Sequence, residues 1–480
     1  MDRRTRVSKA GAIAVTGLGR VAGSVALALA LMSSSWLSPA RSEASPGQID
    51  SQFGQHGFVF SSPALSTQLG GVEVVSSPSG APTVAFENGA LRLHSDGSRD
   101  PSFGTNGIVR LGRSTASEGV KQRAFVLREI ASDSRGRLLV FGEQTDSRRA
   151  FFAASSPILE SKALVLRLTP RGNLDTRFGR GKGFIRADFG LGSDVGDTDV
   201  PMVSALAGTT DSMDRPVLVA GVSTVIGGCY GKATTASLPR AVVRLTRTGN
   251  LDRSFGNTGL SPVDGSDSPP SVAVDGADRP LISVGRFVNP TTACSSEGVL
   301  IRMNGDGQPL GSFGVSGARV VQGYSFAVLE SSGDTILSRR NVRSIGVVRL
   351  RRDGSRDPSF GGDGVSNAAL PSRVGSHMRP VAVDSKGRIL IAGFIGSRSG
   401  RHAKHQPKES AFIVARLLAN GELDKSFGTN GRILTRFARP LELIGAAASL
   451  DAQGRLLVAG RFIKPGPAVG IVVARYLLGS

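Results

Sequence analysis

Tryptophan and cysteine are close to absent from this chain. Of its 480 residues one is tryptophan, Trp36, and two are cysteines, Cys229 and Cys294. So few thiols exclude a structural zinc site and a disulfide-dense scaffold. A binding site built on indole stacking has no residue to use beyond position 36. Long apolar runs are missing outside the first 44 residues, and no other stretch approaches membrane-spanning length. Glycine and proline are plentiful, at 63 and 24, but lack the Gly-X-Y period of collagen. Absent too are G-x-x-x-x-G-K-[ST], G-x-S-x-G, S-x-x-K and H-E-x-x-H, the signatures of a phosphate loop, two serine nucleophiles and a zinc-protease helix. What is present, 40% hydrophobic and 20% charged residues, is a globular chain with many turns.

Residues 1–44 read as an export signal. Arg3, Arg4, Arg6, Lys9 and Arg20 make a positive leading region, and Val21 to Met32 is an apolar run of twelve. Cleavage is expected after Ala44 (with Ser42 at −3) or after Ala40 (with Ser38). The run is short for a membrane span, and an uncleaved anchor is the alternative. No cysteine stands at the cleavage site, which argues against a lipoprotein. Removing the leader takes away six basic and two acidic residues, lowering the formal charge from +20 to +16. A surface so basic attracts polyanions by counterion release, which outside a cell means envelope polymers, lipopolysaccharide or extracellular DNA. Since no run of five or more Lys/Arg occurs, a basic composition without a selected partner is favoured over a selected polyanion.

Internal repeats dominate the rest. Phe-Gly followed two or three residues later by Gly recurs at Phe53, Phe103, Phe178, Phe255, Phe313, Phe360 and Phe427, as in RDPSFGTNG and LDKSFGTNG. A second element, a polar Asp/Ser/Gly turn leading into a short apolar run, reads ASDSRGRLLVFG, AVDSKGRILIAG and SLDAQGRLLVAG in its clearest copies. That is a hairpin turn entering a buried strand. A third precedes every Phe-Gly motif but the first, recurs once more at the end of the sequence, and carries an arginine between apolar residues: Arg92, Arg167, Arg244, Arg302, Arg349, Arg416 and Arg475.

Eight residues after five of these arginines stands an aspartate: Asp100, Asp175, Asp252, Asp357 and Asp424. Leu310 occupies that place after Arg302, nothing follows Arg475, and Asp50 opens the first copy with no arginine before it. Arg and Asp on either side of a Gly-containing turn are expected to form bidentate structural pairs. A basic axial channel lined by the arginines is the alternative. The seven phenylalanines are expected to anchor the core between units, with the glycines supplying the turns.

Four short strands per unit and no helical pattern predict an all-β fold: one domain over residues 45–480, a seven-bladed β-propeller of four-stranded blades. The LD-x-SFG-x-x-G element, with VxRLxxDG before it and DxxGRLLVAG between copies, resembles the delta-60 repeat, a bacterial propeller-like repeat. The resemblance covers essentially all of residues 45–480. It implies a propeller in an exported or surface protein and no particular activity.

Candidate chemistry is sparse. His402 and His405 share a basic loop with no third metal ligand evident, and Asp194, Asp197 and Asp199 share one polar loop. No catalytic residue, metal site or cofactor is assigned. The expectation is a secreted or surface-exposed, monomeric, non-enzymatic binding scaffold. Its partner would be a macromolecule such as an anionic envelope polymer, without specific nucleic-acid recognition. The rival is a hydrolase or lyase whose carboxylates converge on the propeller axis.

Two long-range pairings are expected. Cys229 and Cys294 follow the same strand in consecutive units at about the same interval, which predicts a disulfide; two unpaired thiols are the alternative. Behind the leader the chain opens on the second half of a unit, GQIDSQFGQHGFVF, and it ends on the first half of one, IVVARYL. In a closed ring these halves complete one blade, bringing Asp50 to Arg475. A six-unit ring with loose ends is the competing arrangement.

Overall fold

The computed structural model describes residues 49–62, 71–86, 89–111, 122–148, 158–191, 203–222, 238–265, 270–287, 296–321, 324–330, 332–340, 345–366, 376–384, 386–395, 410–437, 441–463 and 469–479. These form twenty-eight strands, β1–β28 in chain order, in seven antiparallel sheets of four. The fold is a seven-bladed β-propeller.

Blade I runs from β2 (Val72–Ser76) to β5 (Ile108–Arg110). Blade II runs from β6 (Gln122–Ser132) to β9 (Phe184–Ala187), and blade III from β10 (Val203–Thr210) to β13 (Leu260–Gly265). Blade IV runs from β14 (Ser271–Val274) to β17 (Ala318–Val321), blade V from β18 (Tyr324–Leu329) to β21 (Val365–Ser366), and blade VI from β22 (Ser376–Val383) to β25 (Arg432–Phe437). First strands of successive blades touch around the ring, β2 to β6, β6 to β10, and so on to β26 against β2. The first strand of every blade is therefore the innermost.

Blade VII is assembled from both ends of the described chain. Its sheet order is β1-β28-β27-β26, in which β1 (Phe58–Ser61) supplies the outer strand to β26 (Glu442–Leu450), β27 (Leu456–Ile463) and β28 (Val469–Tyr476). Phe58 lies opposite Ala474 and Ser61 opposite Ile471. The ring is closed, so no sheet edge is left by a half-finished blade.

The sequence dictates this layering. The second and third strands of a blade are covered on both faces by neighbouring blades, and they read as continuous apolar runs rather than alternating ones. Leu138 to Phe141 and Ile389 to Ile395 are buried throughout. Each repeat phenylalanine sits in a core cluster shared by two blades. Phe103 packs with Ala85 and Ala90 of blade I and Leu138 of blade II, and Phe255 packs with Val219 of blade III and Ile282 of blade IV. Every interface between blades thus receives a repeat phenylalanine ring.

Candidate functional site

The turns joining first to second and third to fourth strands crowd together at one end of the ring. Three kinds of contact recur there, all built from repeat residues. The arginine of the third strand directs Nε to the aspartate eight residues on, in the same blade. The distances are 2.9 Å for Arg167–Asp175, 2.8 Å for Arg244–Asp252, 2.6 Å for Arg349–Asp357 and 2.7 Å for Arg416–Asp424. Across the seam of blade VII, Arg475 Nε donates to Asp50 Oδ2 at 2.8 Å.

The same guanidinium then reaches the next blade. Nη1 of Arg167 donates to the Arg247 carbonyl and that of Arg244 to the Gly305 carbonyl, each at 2.5 Å. Arg416 donates to the Leu478 carbonyl, and Arg475 to that of Ser95 in blade I. Six of the seven arginines lie over the phenylalanine of their own unit, with Cζ 4.3–5.2 Å from the ring centroid, from Arg92 over Phe103 to Arg475 over Phe53. One residue therefore closes its own turn, stacks on the interface ring and holds the neighbouring blade.

Blade I departs from the expected pairing. Arg92 Nε donates to Thr83 Oγ1 at 3.1 Å, and the Asp100 carboxylate accepts from the amide and hydroxyl of Ser102 at 2.9 and 2.6 Å. The cause is the cross-strand neighbour. Thr83 stands opposite Arg92 and offers an acceptor, where Leu139 stands opposite Arg167 and Val217 opposite Arg244. Arg302, which has Leu310 in place of an aspartate, takes Asp275 of its own blade's first turn at 2.8 Å.

A second arginine–aspartate clamp went unread in the sequence. In the first turn of blade II, Asp133 Oδ1 accepts from the Arg137 amide at 2.9 Å while Oδ2 accepts from Arg137 Nε at 2.6 Å. Asp211–Arg215, Asp275–Arg279, Asp384–Arg388 and Asp451–Arg455 repeat it. The signal was available: beyond residue 44, D-x-x-x-R recurs five times. These clamps also bridge blades. Ser134 donates to Asp214 of blade III through both amide and hydroxyl, and Ser212 does the same to Asp278 of blade IV.

Two groups of charges stand outside this frame. The first lies at the channel wall, where Glu73 of β2, Glu129 of β6 and Arg379 of β22 meet on the innermost strands of blades I, II and VI. Arg379 Nη2 is 3.6 Å from Glu73 Oε2. Blade VII separates these two strands in the ring, so the contact crosses the channel's inner edge. Burial pushes the Glu73 carboxyl up, against the pull of Arg379. Glu129 is pushed well above the ordinary range, by burial first and by the neighbouring Glu73 charge second.

The second is a groove of about 750 Å³ at the outer rim between blades II and III. Its walls are β9, the turn before it, and the third-to-fourth-strand turn of blade III. Arg180, Lys182, Arg186 and Arg253 line it, with Asp188 and Asn250. The Gly190 amide and the Lys162 ammonium, 3.3 Å away, hold the Asp188 carboxyl below its usual range. Arg180 Nε donates to Asn250 Oδ1 at 3.4 Å, linking the two walls.

Cys229, Cys294, His402, His405, Asp194, Asp197 and Asp199 lie outside the described residues. Among the described residues, no three His, Cys, Asp or Glu side chains are grouped to hold a metal ion.

A family described as "Domain of unknown function (DUF5122) beta-propeller" matches residues 333–360. No curated protein matches the chain. Among solved structures, a Dyadobacter fermentans protein of unknown function is 12% identical, with 74% of this chain and 95% of that one covered and a TM-score of 0.38. A Hadza microbial sialidase is 11% identical, with 82% and 73% covered and a TM-score of 0.41. A subtype N10 neuraminidase-like protein of A/little yellow-shouldered bat/Guatemala/060/2010 is 8% identical, with 77% and 98% covered and a TM-score of 0.37.

Proposed function

We propose that the chain is an exported, non-enzymatic interaction scaffold of seven delta-60-type repeats whose ligand is an anionic polymer of the cell envelope. The supporting observation is where the charges are. Among the described residues eleven acids and nine arginines are buried, most of them paired in the turns. The interior nearly neutralises itself, which leaves the positive excess of the chain on its surface. A rigid frame that consumes its own carboxylates and displays cations suits long-range capture of a polyanion.

The test is binding of the chain lacking residues 1–44 to immobilised envelope polysaccharide fractions across a salt titration. Affinity that falls steeply with salt supports the reading; absent or salt-indifferent binding ends it. Expression of the full chain, fractionation and N-terminal sequencing of the product address export and the choice between Ala40 and Ala44.

The axial Glu73 and Glu129 favour a second reading, hydrolysis by carboxylates on the channel wall. Burial raises both carboxyls, Glu129 the further because of the Glu73 charge, and two carboxyls pushed apart by their surroundings are what acid and base roles need. Release of new reducing ends from an envelope polysaccharide, lost in Glu129→Gln, would establish it in place of the scaffold.

A further inference from the structure

We propose that the groove between blades II and III is the polymer site and that it takes a short stretch of an acidic, hydroxyl-rich polysaccharide. The proposal rests on the polyanion reading above and adds a place and a ligand class to it.

The third unit departs from the repeat. Six units place two residues between Phe-Gly and the closing glycine: Gln55-His56, Thr105-Asn106, Asn257-Thr258, Val315-Ser316, Gly362-Asp363 and Thr429-Asn430. None of these is lysine or arginine. The third unit has three residues there, Arg180-Gly181-Lys182, so one insertion brings two cations to a single rim position. The propeller frame does not need them, because six other blades turn the same corner without them. Extra charge at one of seven equivalent places belongs to something other than folding.

Arg180 and Lys182 are exposed, as is Arg253 on the facing wall, while Arg186 stands half-buried in β9. Neither Lys182 nor Arg253 forms an ion pair among the described residues. Four cations face one carboxylate across a concave volume of about 750 Å³. That volume lies within the ~300–1,000 Å³ of ligand clefts and suits a few sugar rings.

Guanidinium forks match carboxylates bidentately. Asp188 and the Asn250 amide add oxygen acceptors, which ask for hydroxyl donors beside the negative charges. A uronic-acid polymer offers both on every residue. A DNA backbone carries no hydroxyls along its length, so the Asp188 and Asn250 acceptors find no donors there.

The experiment measures binding of three probes to the chain lacking residues 1–44: a uronic-acid tetrasaccharide, its carboxyl-reduced neutral counterpart, and an oligothymidylate of equal charge. It compares Lys182→Glu with Arg253→Glu, as a double variant, against the charge-matched control Arg356→Glu with Lys425→Glu in blades V and VI. Thermal melting confirms that both fold. The uronic-acid probe is expected to bind at least about tenfold more weakly to the groove variant and within about twofold of wild type to the control. The neutral counterpart is expected to lose at least about tenfold on the unaltered chain. Equal weakening in both variants overturns the groove as the site and leaves the polyanion reading standing. Failure of the unaltered chain to bind any anionic probe overturns both. Tighter binding of the oligothymidylate, lost in the groove variant, keeps the site and overturns the polysaccharide.

Discussion

Arg475 and Asp50 are 425 positions apart in the chain and share a buried ion pair inside one blade, with Nε and Nη2 of the arginine at 2.8 and 2.7 Å from the same carboxylate oxygen. The Asp50 amide also donates to the Arg475 carbonyl at 2.9 Å. The seam of the ring is therefore chemically the same as the interior of any other blade.

Removing the carboxylate at that seam strands a buried guanidinium. Asp50→Ala is expected to cost about 3–5 kcal/mol, the range for breaking a buried pair from one side. Asp100→Ala makes the contrast, because the Asp100 carboxylate accepts hydrogen bonds from Ser102 and none from Arg92, and its loss is expected to cost about 1 kcal/mol. Urea denaturation of both variants checks the difference. Equal losses would mean that the seam pair carries no special weight.

Asp275 serves two arginines, Arg279 of its own turn and Arg302 of the third strand, both at 2.8 Å. Asp384 clamps only Arg388. Asp275→Asn is expected to destabilise by about 1–3 kcal/mol more than Asp384→Asn, since it weakens one further charged hydrogen bond and leaves Arg302 buried without an anion. The pair of denaturation midpoints decides it.

Two opposed pH dependences are expected. Burial would raise Asp252, Asp357 and Asp424, but serine donors and the paired arginines outweigh it and hold all three below their usual range. Their contribution is complete above the unfolded value of about 3.9 and is lost as pH falls through the lower folded values. Glu129 runs the other way. Its folded value is raised, so its contribution is complete below the unfolded value of about 4.3 and is lost as pH rises through the folded one. Glu129→Gln removes that second branch. Its melting temperature is expected to match wild type near pH 4 and to exceed it increasingly toward neutrality. A constant offset at all pH values would refute this.

Gly307 approaches the neighbouring blade too closely for any side chain. Its φ is +80°, and a Cβ there would lie 2.8 Å from the Phe255 ring and 2.9 Å from the Gly256 nitrogen. Gly307→Ala is expected to destabilise by more than about 1 kcal/mol, through strain and a pushed-apart interface. Gly276, with open space around it, provides the comparison, and Gly276→Ala is expected to be within about 0.5 kcal/mol of neutral.

Architecture was legible because each blade writes its own frame into local sequence. The Phe-Gly turn, the arginine strand and the polar turn recur in register, and the phase mismatch of the chain's two halves foretold blade VII. Individual partners were less legible. Whether Arg92 reaches Asp100 depends on Thr83 across the sheet, and whether Arg302 finds an anion depends on a turn twenty-seven residues earlier. The channel cluster left no pattern at all, because Glu73, Glu129 and Arg379 come from three blades and belong to no repeat. Spacing finds what every blade needs, whereas a site used once appears only when blades are brought together. The rim cations stand between these cases: the inserted residue of the third unit was visible as RFGRGKG, but its facing wall, seventy residues on, was not.

The arginine that leans from each blade onto the next has a consequence for how the molecule comes apart. In a linear array of repeats the terminal unit has one neighbour, so unfolding can fray inward from an end. Here Arg475 reaches Ser95, and the array has no end. Any blade that opens first must give up two interfaces at once, whichever blade it is. The nearest-neighbour coupling that lets solenoids melt piecemeal here sets a common threshold, and loss of order around the ring is expected to be a single cooperative event.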